Sequence, residues 1–147
     1  MTGGRPEAVD AAILAVLAQE AAEGAEPTLD EARAEYVQTA IALGGEPVAV
    51  AAVADDLVSR PGGGSVPVRV YLPLEPAAGP ATTLVWFHGG GWVLGDLDGF
   101  DRVARRLANA AGSVCVSVDY RLAPEHPFPA AVDDAGAVVA WAAGEGG

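Results

Sequence analysis

Two short apolar runs, Leu84-Val85-Trp86-Phe87 and Val114 to Val118, set the limits on what this chain can become. Each is too short to read as a helix and is continuously apolar, as expected of strands covered on both faces. Between them lie His88-Gly89-Gly90-Gly91-Trp92 and a helical segment from about Asp98. That segment carries Phe100, Val103, Ala104, Leu107, Ala108 and Ala111 on one stripe, and turns Arg102, Arg105 and Arg106 to water. Gly112 is placed to end it. Strand, glycine loop, helix and strand in this order predict a right-handed parallel crossover, and with it an α/β fold.

The flanking segments extend this core on both sides. Val9, Ala12, Ile13, Val16 and Leu17 repeat at helical spacing after Pro6, which suits a first turn. A second helix follows, with Thr28 and Glu31 as a capping box, an apolar face of Leu29, Ala32, Tyr36, Val37, Ala40 and Ile41, and Gly44-Gly45 as its stop. Residues 1–47 are therefore expected to hold two helices that cover the core residues 48–147. From Val48 the period changes. Val48 to Val58 reads as a strand and Pro61 to Ser65 as a turn, after which Val66, Val68, Val70 and Leu72 alternate with Pro67, Arg69 and Tyr71, predicting an antiparallel hairpin at a sheet edge. A last helix is expected from Pro129 to about Trp141.

Composition removes several classes of function. The formal charge of −12 leaves no basic face for nucleic acid or an anionic membrane. An acidic surface of this kind keeps a protein in solution. All eight basic residues are Arg, so Schiff-base and P-loop lysine chemistry is excluded. Cys115 stands alone and reads as a small buried apolar residue, without a disulfide or a cysteine metal cluster. No stretch is apolar enough to span a bilayer, and Glu7 and Asp10 interrupt any leader-like core, so a cytoplasmic protein is expected.

Three consecutive glycines at the end of a strand allow backbone conformations closed to other residues and clear side chains away from the main-chain N–H groups. Such a loop can aim donors at a developing negative charge. The same run can also be a tight turn and nothing more, although its place at the C-terminal end of a strand is where open α/β sheets hold ligands. His88 reads either as a satisfied core histidine or as a ring that holds the loop by hydrogen bonding. Trp92 reads either as packing beneath the loop or as the wall of an acyl pocket. A dinucleotide fingerprint is the rival reading, with Gly89, Gly91 and Gly95 as G-x-G-x-x-x-G and Asp119 as the ribose-binding acid. Trp92 fills the space a pyrophosphate needs, and Asp96, Asp98 and Asp101 repel phosphate from the helix start.

The second informative run is Asp119-Tyr120-Arg121-Leu122-Ala123-Pro124-Glu125-His126-Pro127-Phe128-Pro129-Ala130-Ala131. Asp119, Arg121 and Glu125 are close enough in sequence to pair and fix this loop. Ser117, Asp119 and His126 do not make a catalytic triad, because Ser117 lies inside a strand pattern and such near neighbours do not form the relay. Together with His88-Gly89-Gly90-Gly91-Trp92, this run resembles the N-terminal half of the hormone-sensitive-lipase-like α/β-hydrolases, a family of serine carboxylesterases and lipases. The resemblance implies a partial α/β-hydrolase fold: a mostly parallel sheet with an N-terminal antiparallel hairpin, flanking helices and two cap-like helices that can act as a lid. It implies that Gly90 and Gly91 supply oxyanion-hole N–H groups, that Gly89 permits the loop's shape, and that the substrate is a small carboxylic ester.

The nucleophile of that family sits in a G-x-S-x-G elbow. The chain's serines are Ser59, Ser65, Ser113 and Ser117, and none has that setting. The triad acid and histidine follow the serine in this family, so they too are expected beyond Gly147. The expectation is an incomplete esterase that is inactive alone, with a non-catalytic binding module as the alternative and a dinucleotide-binding fragment behind it. The family's sheet order also implies that Leu84 to Phe87 is left as an apolar edge through which copies of the chain can associate.

Overall fold

The structure, a computed structural model, describes residues 27–80 and 82–144. The helix expected around Val9 to Leu17 lies outside them. The described residues from Glu31 onward form one compact unit, which holds the sheet. Three helices are described: α1 (Leu29–Leu43), α2 (Leu97–Ala111) and α3 (Ala130–Ala142). Four strands, β1 (Ala52–Ser59), β2 (Ser65–Leu72), β3 (Thr83–Phe87) and β4 (Val114–Val118), form one sheet in the order β1-β2-β4-β3. No helix among the described residues is long and apolar enough to cross a membrane.

The central unit follows the sequence closely. β3 and β4 run parallel, in register from Thr83 opposite Val114 to Phe87 opposite Val118. α2 returns the chain between them, started by Asp96, whose side chain accepts from the Gly99 N–H, and ended by Gly112 in the left-handed region at φ 57°. Small residues at Gly99, Ala104 and Ala108 bring this helix close to its neighbours. A Cβ at Gly99 would stand 3.6 Å from the Cα of Val37 in α1. The half-buried positions of α1 are Leu29, Ala32, Tyr36, Val37, Ala40 and Ile41, the face given by the helical period, together with Arg33.

The sheet differs from expectation in three respects. It is mixed rather than mostly parallel: β1 pairs antiparallel with β2, β2 pairs antiparallel with β4, and only β3 and β4 are parallel. The reason is that a parallel pair needs a crossover helix, and α2 is the only one that links neighbouring strands here. Secondly, β1 starts at Ala52 rather than Val48. Thirdly, the alternation in β2 does not hold to its end. Val66 and Val68 are buried on one face, but Tyr71 is buried on the other against Ala104, Ala108 and Cys115 of the α2 side. A strand flanked by pairing partners and covered by helices on both faces has no solvent side to enforce the period.

Two clusters make the core. Val58, Val66, Val68, Val116, Val118, Tyr120 and Val138 pack beneath α3, and Tyr71, Ala104, Ala108 and Cys115 pack beneath α2. β3 is the edge strand, and Leu84, Val85 and Trp86 are only half-buried there, because a single neighbour covers them. Two of the three arginines expected to face water do not. Arg102 donates to the Gly45 carbonyl at 2.6 Å, and Arg105 donates to Asp101 at 2.7 Å. Its guanidinium lies 5.8 Å from the Tyr71 ring centroid.

Candidate active site

The glycine loop leaves the C-terminal end of β3, beside the end of β4. Gly90 has φ 126°, Gly91 φ 61°, Trp92 φ 62° and Gly95 φ 100°. The loop is closed by one carbonyl, since Gly90 O accepts from Val93 N at 3.1 Å and from Leu94 N at 2.9 Å. A Cβ at Gly90 would collide with the Leu94 carbonyl, whereas one at Gly91 would meet open space. Among the described residues, neither the Gly90 N–H nor the Gly91 N–H donates a hydrogen bond to a carbonyl or side chain. Two adjacent donors are thus left available in a loop whose shape only glycine permits.

His88 is buried and sandwiched. Its ring stacks on Tyr120 at 4.4 Å and on Phe100 at 5.3 Å between centroids. Nδ1 lies 2.8 Å from the Gly89 carbonyl, and because a carbonyl can only accept, the proton is on Nδ1. The Tyr120 hydroxyl donates to the His88 carbonyl at 2.7 Å. Gly95 makes room for this ring, as a Cβ there would stand 2.5 Å from Nδ1. The histidine therefore ties the loop to the end of β4.

Trp92 does not pack beneath the loop. It is 67% exposed, in the left-handed region uncommon for a bulky residue, and its carbonyl accepts from Ala123 N at 2.8 Å. Its side chain borders a cavity of about 470 Å³ walled also by Gly91, Ala123, Phe128, Pro129 and Val132. Apart from His126 and Arg121, that lining is apolar, and Gly91 and Trp92 are the glycine-loop residues in it.

The loop from Asp119 to Pro129 is fixed by charges, though not by those expected. Arg121 and Glu125 do not pair with each other or with Asp119. Arg121 reaches into α3, where its Nη2 lies 2.8 Å from Asp134 Oδ1 and its backbone N–H donates to Oδ2 at 2.9 Å. Arg60, just beyond β1, approaches the same buried carboxylate at 3.4 Å. Glu125 is held by Arg33 of α1, at 2.7 and 2.8 Å to its two oxygens. The extended backbone separates the three near neighbours, while long arginine side chains reach partners on other elements. Asp119 stays half-buried, with its pKa raised by burial first and further by Asp96 and Asp98.

Arg33, Asp134, Tyr36 and Phe100 were not legible as site residues. Arg33 and Tyr36 lie three apart on one helix face, and Asp134 follows Asp133 in a helix whose other residues are apolar or glycine; these were the available signals.

The Arg33 guanidinium holds the Glu125 carboxyl down, to about 2 from an ordinary 4.5. The pair therefore contributes fully above the ordinary value and is lost as pH falls to about 2. Carbonyl-carbon NMR is expected to show Glu125 titrating near 2 in the native chain and returning towards 4.5 in Arg33→Met.

Ser59 and Ser65 are exposed at the two ends of the β1–β2 turn, whereas the candidate nucleophiles nearer the glycine loop are buried. Ser117 is fully buried in β4, opposite Trp86. Cys115 is fully buried and its thiol is pushed up to about 11 by burial, so it stays protonated. The dinucleotide reading is disfavoured locally, because Asp96 already occupies the α2 N-terminus that a phosphate would need. No group of three or more potential metal ligands occurs among the described residues.

Residues 84–146, which contain this loop and both of its supports, match the family model described as the α/β-hydrolase fold. Over these residues the chain is similar to the α/β-hydrolase family. The esterase LipI of Mycobacterium tuberculosis is 49% identical to it over 84 residues, 56% of this chain and 26% of that protein. An ethyl acetate hydrolase of Pseudomonas putida is 38% identical over 108 residues, 72% of this chain and 34% of that protein. Among solved α/β-hydrolase structures, the esterase from the archaeon Pyrobaculum calidifontis superposes with a TM-score of 0.70 at 41% identity, covering 80% of this chain and 38% of that one. An arylesterase structure superposes with a TM-score of 0.78 at 30% identity, covering 97% of this chain and 46% of that one. The chain thus spans less than half the length of the α/β-hydrolases it matches.

Proposed function

We propose that this chain is the oxyanion-hole half of a serine carboxylesterase. The observation that supports this reading is the pair of unpartnered N–H groups at Gly90 and Gly91, beside an apolar cavity at the end of β3. A carbonyl oxygen seated against them gains little as a neutral acceptor and much as the oxyanion of a tetrahedral intermediate. A serine from outside these residues adds to the ester carbonyl and forms that intermediate, which collapses to an acyl-enzyme as the alcohol leaves. Water then releases the acid. No metal or cofactor takes part in this scheme, and the ester is a small molecule.

Assay with p-nitrophenyl acetate tests the reading on the chain as it stands. No turnover above the buffer rate is expected. Robust hydrolysis that survives replacement of each of Ser59, Ser65, Ser113 and Ser117 would contradict it. The reading also includes association through β3, whose apolar edge has β4 as its only described neighbour. Sedimentation velocity is expected to show dimers or larger species that Phe87→Lys reduces. A monodisperse native monomer with a cooperative melt would refute that part.

A further inference from the structure

The glycine loop is held from one side by His88 and Tyr120, which belong to the elements that deliver it. Its other side is held by a residue 60 positions away in sequence. Arg33 donates from Nε to the Val93 carbonyl at 2.9 Å and from Nη2 to the Ala123 carbonyl at 3.0 Å. The same guanidinium takes Glu125 with both Nη atoms. The Ala123 N–H donates to the Trp92 carbonyl, and the Val93 N–H donates to the Gly90 carbonyl. The contacts form a closed circuit: Arg33, Val93, Trp92, Ala123 and back to Arg33. Val93 is held at both ends of its peptide, by Gly90 on the amide side and by Arg33 on the carbonyl side.

We infer that Arg33 is a positioning residue for the oxyanion loop, acting through the Val93 and Ala123 carbonyls and not through its ion pair with Glu125. The exposed Arg33–Glu125 pair taken alone would contribute little. A planar fork that meets two carbonyls and a carboxylate at once fixes direction as well as distance, which lysine cannot do. The consequence for catalysis rests on the esterase reading above; the clamp itself does not. α1 is by this account part of the frame that shapes the donor loop. Tyr36, one turn on, continues the same face, with its hydroxyl 3.7 Å from where a Cβ on Gly89 would lie.

Amide hydrogen exchange at Val93 and Leu94, measured on the native chain and variants, tests the clamp without reference to activity. Arg33→Met is expected to speed exchange at both amides about tenfold relative to those of β2 and β4, the size of one lost charge-assisted hydrogen bond. Glu125→Gln, which leaves both carbonyl bonds in place, is expected to speed it by less than about threefold. The exchanged pair, Arg33→Glu with Glu125→Arg, can rebuild the ion pair but not the bonds to the carbonyls, so exchange stays fast. Should Arg33→Met fail to fold, Arg33→Lys keeps the charge and is still expected to raise exchange at least about threefold. Restoration by the exchanged pair, or equal effects of Arg33→Met and Glu125→Gln, would overturn the inference. So would native rates in Arg33→Lys. In a catalytically competent protein carrying these residues, Arg33→Met lowers kcat with KM nearly unchanged. Failure of the esterase reading would remove that readout and leave the exchange result intact.

Discussion

Replacing Asp134 with alanine is expected to lower the unfolding free energy by about 3 kcal/mol or more, the cost of removing one partner from a buried ion pair. The carboxylate is 1% exposed and accepts from the Arg121 backbone N–H, from the Arg121 guanidinium and from Arg60. Those donors come from two parts of the fold, the turn after β1 and the loop after β4, and Asp134 joins both to the first turns of α3. Alanine would leave a backbone N–H and two guanidinium groups facing a small apolar hole. Arg121 is 31% exposed, so part of its charge can return to water, which sets the expectation at the lower end of the usual range. Asp134→Asn preserves shape but turns an amide NH₂ towards arginine donors, and is expected to lose about 2 kcal/mol. Urea unfolding should show a lower midpoint with an unchanged slope. A loss below about 1 kcal/mol for alanine would mean that the carboxylate does not hold these elements together.

The second large effect is expected at Gly90 and appears in rate. Its φ of 126° lies where other residues are scarcely found, and any Cβ would collide with the Leu94 carbonyl. Gly90→Ala must therefore open the turn that Val93 and Leu94 close on the Gly90 carbonyl, and the two free donors lose their direction. In a protein that joins these residues to the remainder of an esterase, kcat for p-nitrophenyl acetate is expected to fall about 10²–10³-fold, as for loss of one oxyanion donor. KM should change little, because the charge being stabilised develops only in the transition state. Gly91→Ala supplies the control. Its φ of 61° is the left-handed region and its surroundings are open, so it costs about 1–2 kcal/mol of strain without a collision. A Gly91→Ala enzyme as impaired as Gly90→Ala would point to the side chain blocking substrate and not to loss of loop shape.

The parts of the fold legible in the sequence are those set by local chemistry. The apolar runs gave β3 and β4, Gly112 gave the end of α2, and the helical period of α1 gave its half-buried face. Each depends on residues within a turn or two of one another. What was not legible depends on partners distant in sequence. Tyr71 looked like the solvent side of an alternating strand because nothing in β2 reports that α2 covers its far face. Arg121 and Glu125 looked like partners because they are neighbours; their real partners are Asp134 and Arg33, 13 and 92 positions away. Arg33 is the clearest instance, since a charged residue on a helix reads as solvent-facing until the carbonyls it meets are known. At the candidate site, the glycine loop could be recognised from its own residues, but the contacts that give it shape could not.

These residues are proposed to supply the oxyanion donors of a serine esterase whose nucleophile lies elsewhere. The most direct measurement replaces the matched part of the Pyrobaculum calidifontis esterase with this chain and follows p-nitrophenyl acetate hydrolysis. The chimera is expected to turn over the ester and to lose that activity with Gly90→Ala, while the chain alone stays inactive. A chimera that melts cooperatively yet fails to hydrolyse the ester, or one that is indifferent to Gly90→Ala, would contradict the claim.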